Sequence, residues 1–568
     1  MLRQALLVVA AAAAAAPAAD ARRPKKLVQT GWDRPDTERL LANLAEIEKR
    51  PFDGVVIGAL GRAEDGRRVH LHWAFLDQKW RREWFDHCLA NLQACRFRRL
   101  TDNFLLFGAN PGNVDWFDDG GWANIVDHWR IAAWLARRGG LKGILFDPEP
   151  YNPPYAQFRY SAQAQRDKHS FEDYAAKARE RGRQVMAAVV EEFPDITIFC
   201  YFMNVVCSTA TGRANPSRLL ARHGYGLLPA FFDGWLDAAP PTVTLVDGCE
   251  MAYRYNSVTD YLEAAVAIKG ACQELVSPEN RAKYRAQVQV GFGIYLDAYW
   301  NPPTSPWFID GLGGPRIERL RANLQTALRV ADQYVWVYGE KFRWWPTPNK
   351  RVSEKTWPQA LPGCERVLRF ARDPVAYARS QIAEQRAAGA LTDLARNGGF
   401  TSPTAAPNKA PAADWREGKC PPGWHSWQAE GSKGKFTWDR QVGARAPGSA
   451  RASAVANGCF IQTYEAHPGE LYAVGATRRL EGKGEAWIRV RWQTAEGKWT
   501  AQARDVVIHC EAPRDAWGEI FGVAEVPDGA GRLVLLLCVA DQATHNDIAW
   551  FDDVSVHRLE VTPRAKGQ

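Results

Sequence analysis

The 568-residue sequence has little that comes in runs. Beyond the first 21 residues no apolar stretch approaches the ~20 residues that cross a bilayer, so no membrane span is expected. The formal net charge is +8, but Lys and Arg are scattered among acids and never collect into a basic tract. That excludes the charge footprint of a nucleic-acid binder. The eleven cysteines have neither zinc-ligand spacing nor the spacing of a disulfide framework. Cys88 and Cys95 fall on one face of a predicted helix, while Cys200, Cys249, Cys272 and Cys538 sit in or beside apolar runs, where a buried free thiol is the ordinary state.

Aromatic residues are plentiful: 24 Trp, 17 Tyr and 24 Phe. An indole offers a broad flat face and one donor, which suits both a core and a sugar platform. The N-terminus reads as an export signal over residues 1–21. Arg3 precedes an apolar run from Ala5 to Ala16, and Ala16-Pro17-Ala18 and Ala19-Asp20-Ala21 both have small residues flanking a cleavable position. A mature chain starting near Ala19 or Arg22, secreted or periplasmic, is the expectation.

From residue 27 onward short apolar runs alternate with amphipathic, helix-length segments. Strands are predicted at 27–32, 53–59, 103–108, 143–147, 196–202, 243–248, 287–294 and 334–339, all nearly continuous in apolar residues, as strands buried on both faces are. Helices are predicted at 36–49, 80–95, 119–138, 171–192, 226–238, 257–275 and 315–332. Trp122 and Trp129 lie on the apolar stripe of their helix and are assigned to the core. Eight strand–helix units predict a (β/α)8 barrel over 22–345. A helical extension over 346–396 follows, then an all-β jelly-roll sandwich over 397–568, where short alternating segments lie between Pro- and Gly-rich turns. The stretch 401–414 reads as a loop.

In such a barrel the active site lies where the strands end. The residues that follow the predicted strands are Trp32 and Asp33, Asn110, Asp147 with Glu149 and Tyr151, Tyr201 and Asn204, Glu250 and Tyr253, Tyr295, Asp297 and Trp300, and Glu340 and Trp344. Acids and aromatics dominate and no strand ends in histidine. Cleaving a glycosidic bond needs a carboxylic acid to protonate the leaving oxygen, and a second group to meet the oxocarbenium-like centre. In Asp147-Pro148-Glu149-Pro150-Tyr151 the two carboxylates are two residues apart, which in extended backbone puts them on one face, and the prolines stiffen the frame. Glu149 is expected as the general acid, Asp147 as an ionised partner, and Glu250 as the favoured second carboxylate, with Asp297 and Glu340 as alternatives. His70-Leu71-His72 and Gly311-Leu312-Gly313-Gly314 are explained more simply as loop residues than as metal or phosphate sites.

Asp147-Pro148-Glu149 resembles the Asp-x-Glu that closes the strand-4 motif of family 18 chitinases. That resemblance implies a Glu general acid and an Asp that orients the substrate's N-acetyl group. Pro148-Glu149-Pro150 is also similar to the Asn-Glu-Pro of the large retaining glycosidase clan of barrels. In the C-terminal region, Asn397-Gly398-Gly399-Phe400, Pro422-Gly423-Trp424, Pro468-Gly469-Glu470-Leu471-Tyr472 and Ala549-Trp550-Phe551-Asp552-Asp553 resemble carbohydrate-binding modules of the family 4 and 9 kind. The resemblance implies Trp427, Trp438, Trp492, Trp499 and Trp517 as platform candidates, and a structural calcium near the first strand and the closing Asp pair. No cofactor is expected for catalysis. The sequence therefore points to an exported glycoside hydrolase acting on a polysaccharide or complex glycan. The alternatives are a non-catalytic carbohydrate-binding protein on a barrel scaffold and an enzyme of another class on the same barrel.

Overall fold

A computed structural model describes residues 24–112, 114–151, 156–401 and 420–562. The export segment and most of the loop at 401–414 lie outside the described residues. The chain divides into two compact units, residues 1–365 and 366–568.

In the first unit all eight predicted strands form and pair in parallel: strand 1 (Lys26–Gly31), 2 (Gly54–Ile57), 3 (Phe104–Gly108), 4 (Gly143–Asp147), 5 (Thr197–Cys200), 6 (Thr244–Asp247), 7, and 8 (Tyr334–Gly339). Strand 7 is interrupted at Gly291. Its first part, Val288–Val290, pairs with strand 6, and its second part, Phe292–Tyr295, pairs with strand 8. Strand 8 pairs with strand 1 from Lys26↔Tyr334 to Gly31↔Gly339, so the sheet runs round as a (β/α)8 barrel. A short antiparallel hairpin, Leu60–Arg62 with Arg68–His70, follows strand 2.

The helices form where their caps and stripes place them. Asp36 accepts from Arg39 N and starts helix Thr37–Ile47. Ser170 with Asp173 and Ser257 with Asp260 make reciprocal capping boxes for Phe171–Glu192 and Val258–Lys269. The 80–95 segment divides into a 3-10 turn, Arg82–Phe85, and an α-helix, Asp86–Ala94. Helices Phe171–Glu192 and Leu228–Ala238 touch backbone to backbone. A Cβ on Gly182 would stand 2.0 Å from Phe231 O, and one on Gly234 2.0 Å from Arg179 O, so only glycine fits at either point.

Most of the aromatic content is packing. Trp116, Trp122, Trp129, Trp235, Trp336, Trp344, Trp357 and Trp492 are fully buried. Because side chains alternate along a strand, Tyr334, Trp336 and Tyr338 form a column up the barrel interior. Tyr334 meets Phe104 and Phe199 edge-on at 5.8 Å and tilted at 5.5 Å. Trp336 stacks on Tyr201 at 4.4 Å, and Tyr338 stacks on Tyr253 at 5.9 Å.

The second unit is a sandwich of two five-stranded antiparallel sheets. One is ordered 425–428, 457–465, 532–540, 485–493, 506–508, and the other 435–439, 449–453, 548–559, 471–481, 518–525. Helix Pro374–Ala387, from the stretch read as a helical extension, lies in this unit. Tyr377 Oη donates to Glu560 O at 2.6 Å, and Arg379 pairs with Glu519 at 2.7 Å. Of the five tryptophans named as platforms, Trp492 is in the core and Trp438 is half-buried, with its indole N–H donating to Phe400 O at 2.7 Å. Trp427 and Trp499 are about half exposed, at 53% and 50%. Trp517 lies between these extremes.

The closing Asp pair expected near a calcium ion has protein partners. Asp552 accepts from Ala444 N at 2.8 Å and Asp553 N at 2.7 Å, and Asp553 pairs with Arg445 at 3.1 Å. Among the described residues no group of three or more His, Cys, Asp or Glu converges as a metal site.

Candidate active site at the barrel mouth

The strand ends of the first unit surround a cavity of about 590 Å³. Of the residues expected there, Trp32, Asn110, Asp147, Tyr151, Tyr201 and Glu340 line it. Asp147 is the last residue of strand 4, and its carboxylate folds back over the next turn. Its Oδ1 accepts from Glu149 N at 3.0 Å, and its Oδ2 accepts from the Tyr151 hydroxyl. The Asp-Pro-Glu spacing thus closes a local loop in which Asp147 faces inward. Tyr151, 58% exposed, reaches back over it from the rim.

Glu250 reaches the same mouth from strand 6 by a tight turn. Gly248 is forced: a Cβ there would lie 2.4 Å from Cys200 O. Cys249 follows in the left-handed region at φ 42°, and Glu250 N donates to Tyr201 O at 3.1 Å. Asp247 holds this turn from below, accepting from Met203 N and Val205 N at 3.0 Å each. From strand 8, Glu340 is held by Tyr295, whose hydroxyl donates to Glu340 Oε2 at 3.1 Å. Tyr295 in turn stacks on Tyr253 at 4.9 Å, so these two rings form a wall between the ends of strands 6 and 8.

The ends of strands 4, 6 and 8 thus carry four carboxyls that act on one another electrostatically, and three have their proton affinity raised; Asp147 and Glu340 line the cavity, and Glu149 and Glu250 lie outside its lining. Burial pushes Asp147 up to about 7, with the charge of Glu149 adding to it. Glu149 is raised by burial and by Glu340, against the opposing pull of the Tyr151 hydroxyl. Glu250 is raised furthest, by burial and then by Glu149, Asp147 and Glu340. The sequence reading has Asp147 ionised and Glu149 holding the proton; burial raises the proton affinity of both.

Several expected contacts lie inside the fold. Asp33 is buried, accepting from Trp344 N at 2.6 Å and Gln29 Nε2 at 2.7 Å. Asp297 is fully buried and accepts from Glu340 N at 2.9 Å and Lys341 N at 3.2 Å, so it fixes the turn that presents Glu340. Trp344 packs edge-on against Phe52 at 5.1 Å, and Asn204 has no exposed surface. Trp300 is 40% exposed but stands away from the cavity, with the Lys341 ammonium 4.7 Å from its ring. Strand-end position alone does not separate these from the cavity residues. Asp33 and Asp297 accept from backbone N–H groups of a neighbouring loop, whereas Asp147 accepts from the N–H of its own turn.

The cavity also has a wall that the strand-end reading missed: Arg34, His72, Trp73, Tyr338, Asn349 and Arg351. Tyr338 was within reach, since it continues the inward alternation of strand 8. Asn349 and Arg351 come from the loop after strand 8, which carries no periodic signal, and Asn349 Nδ2 ties that loop to Trp32 O at 3.1 Å. His72 follows the short hairpin, next to Trp73. Burial, Arg34 and His70 depress its imidazole to about 3, so it is neutral.

No family model matches the chain, and no curated protein does. Solved structures match at low similarity. The CBM22-1–GH10 modules of a Clostridium thermocellum endo-1,4-beta-D-xylanase 10B, complexed with xylohexaose, match at 18% identity over 26% of this chain and 28% of that one, with a TM-score of 0.20. A CBM4 structure matches at 19% identity over 29% of this chain and 99% of its own, with a TM-score of 0.20. A Stig cyclase from Fischerella sp. TAU matches at 13% identity over 30% and 98%, with a TM-score of 0.23. The chain spans about a quarter of the xylanase modules, and likeness at these TM-scores carries no weight for the site.

Proposed function

We propose that the protein is an exported glycoside hydrolase that cleaves glycosidic bonds of a polysaccharide or complex glycan at the barrel mouth. One observation carries this reading. Asp147, Glu149 and Glu250, from two different strand ends, have their proton affinity raised by burial and neighbouring carboxyls, and Asp147 lines an aromatic cavity large enough for a sugar residue. A carboxyl that keeps its proton at neutral pH can protonate a leaving glycosidic oxygen, and an ionised carboxylate facing it can stabilise the charge that develops or activate water. In this reading Glu149 donates the proton. It lies on the half-buried rim, where a leaving group can depart, while the buried Asp147 and the half-buried Glu250 meet the reacting centre. Tyr151 steadies Asp147 through its hydroxyl, and Tyr201, Tyr338 and Trp32 supply the faces against which a pyranose ring packs. Export rests on the N-terminal signal pattern.

The test is a reducing-sugar release screen across neutral and acidic polysaccharides with the wild type and Glu149→Gln. Turnover by the wild type that falls about 10²–10⁴-fold in the variant supports the assignment. Equal turnover by both removes Glu149 from the role. Retention of glycans with no release by either protein favours a binding protein on the same scaffold.

A further inference from the structure

The cavity lining carries both signs of charge, Asp147 and Glu340 together with Arg34 and Arg351. Other arginines of the barrel unit are tied to carboxylates, as Arg179 is to Asp237 at 2.7 Å and Arg50 to Glu365 at 3.1 Å. Arg34 Nη1 donates to Gly31 O at 3.1 Å, and the Arg351 guanidinium lies 5.9 Å from the centre of the Trp32 ring. Among the described residues neither makes an ion pair with a carboxylate, although the charge of Arg34 lowers the proton affinity of Asp147. His72, whose imidazole is neutral, adds no further positive charge. Two guanidiniums that line a cavity without an ion pair can receive an anion, because each keeps N–H donors in the planar fork that matches a carboxylate or a sulfate.

We propose that Arg34 and Arg351 bind an anionic substituent of the glycan, a uronate carboxylate or a sulfate ester, and so make this site selective for acidic over neutral sugars. The inference rests on the reading of the cavity as a glycan site and adds its substrate class. The anion would sit at the two guanidiniums, with the sugar ring packed on Trp32 and Tyr338. The raised proton affinity of Asp147 and Glu250 serves the same end, since a protonated carboxyl does not repel an incoming anion.

Binding to the full chain by titration calorimetry tests this, using size-matched neutral, uronate-containing and sulfated oligosaccharides. Proteins compared are the wild type, Arg351→Gln and Arg34→Gln. Arg351 is exposed, so its loss leaves the fold intact, and Arg34→Lys covers the case in which Arg34→Gln fails to fold. The expected result is at least a tenfold preference for one acidic series, which is also screened by salt. Each Gln variant should lose most of that preference while still binding the neutral series, and Arg34→Lys should keep part of it. Whether the uronate or the sulfate arm shows the preference identifies the anion. The His72 imidazole gives a second readout: an anion bound beside Arg34 offsets its charge and raises the His72 pKa, seen by NMR titration. Equal binding of neutral and acidic series, unchanged in the variants, overturns the inference and leaves the glycan reading standing. No binding of any series overturns both.

Discussion

Two sets of acids stand at the strand ends of the barrel, and they differ in who holds them. Asp33, Asp247 and Asp297 each accept from backbone N–H groups of a neighbouring loop. Asp147 receives one backbone N–H, from its own turn, and Glu149 and Glu250 share the company of other carboxyls. All six are acids beside a strand end. Burial raises the proton affinity of both sets, Asp33 to about 7 and Asp247 and Asp297 to about 6, so what sets the first apart is that its carboxylates hold a neighbouring loop in place. The lesson is that the function of a strand-end acid depends on the direction of the backbone donors around it.

The largest effect that sharpens this contrast is on turnover. Glu149→Gln should cut release from natural glycans by about 10²–10⁴-fold and leave the melting temperature nearly unchanged. A melting shift as large as that of a first-set variant would break the contrast. Next comes Asp247→Asn, which sets an amide N–H₂ against Met203 N–H or Val205 N–H in a dry interior. A loss of about 2–5 kcal/mol is expected by chemical denaturation. Loss of activity without loss of stability would move Asp247 into the second set.

The third effect is pH-dependent. The Asp147 carboxyl binds its proton more tightly folded, at about 7, than unfolded, at about 3.8. Its contribution to stability is thus fully present below pH 3.8 and is lost as pH rises through about 7. Asp147→Asn removes that loss. The variant should gain stability over the wild type from pH 5 to pH 8, with the difference vanishing near pH 4, as read by thermal melts across that range. A constant difference at every pH would show that Asp147 does not titrate in the fold. The smallest effect is that of Tyr151→Phe, which deletes one hydroxyl from Asp147. Asp147 should then hold its proton more tightly by about 1 kcal/mol, seen as an upward shift in its NMR titration.

Much of the fold was legible in the sequence. Parallel strands covered on both faces must be apolar throughout, so runs such as GILFD and YVWVYG announce themselves, and all eight strands formed where those runs lie. The sandwich strands showed too, though only in part: LYAVGAT proved to be the start of Leu471–Glu481, since its later polar residues face out. The site was less legible. Asp147, Tyr151, Tyr201 and Glu340 followed from strand order, but Asp33 and Asp297 met the same criterion and turned inward. Arg34 and Arg351 gave no signal, because a free guanidinium is recognised only by the carboxylates it fails to meet.

The interruption of strand 7 at Gly291 has a consequence in time. Its two halves face different neighbours, and strand 8 then bridges the second half to strand 1. Every other strand finds its predecessor soon after it is made. Strand 1, at residues 26–31, must wait for residues 334–339 before its second edge is paired. At about 5–20 residues per second that wait is on the order of 15–60 s. Throughout it Lys26–Gly31 has an open edge ready to pair with any strand it meets, which makes this edge the segment a holding chaperone would most need to cover.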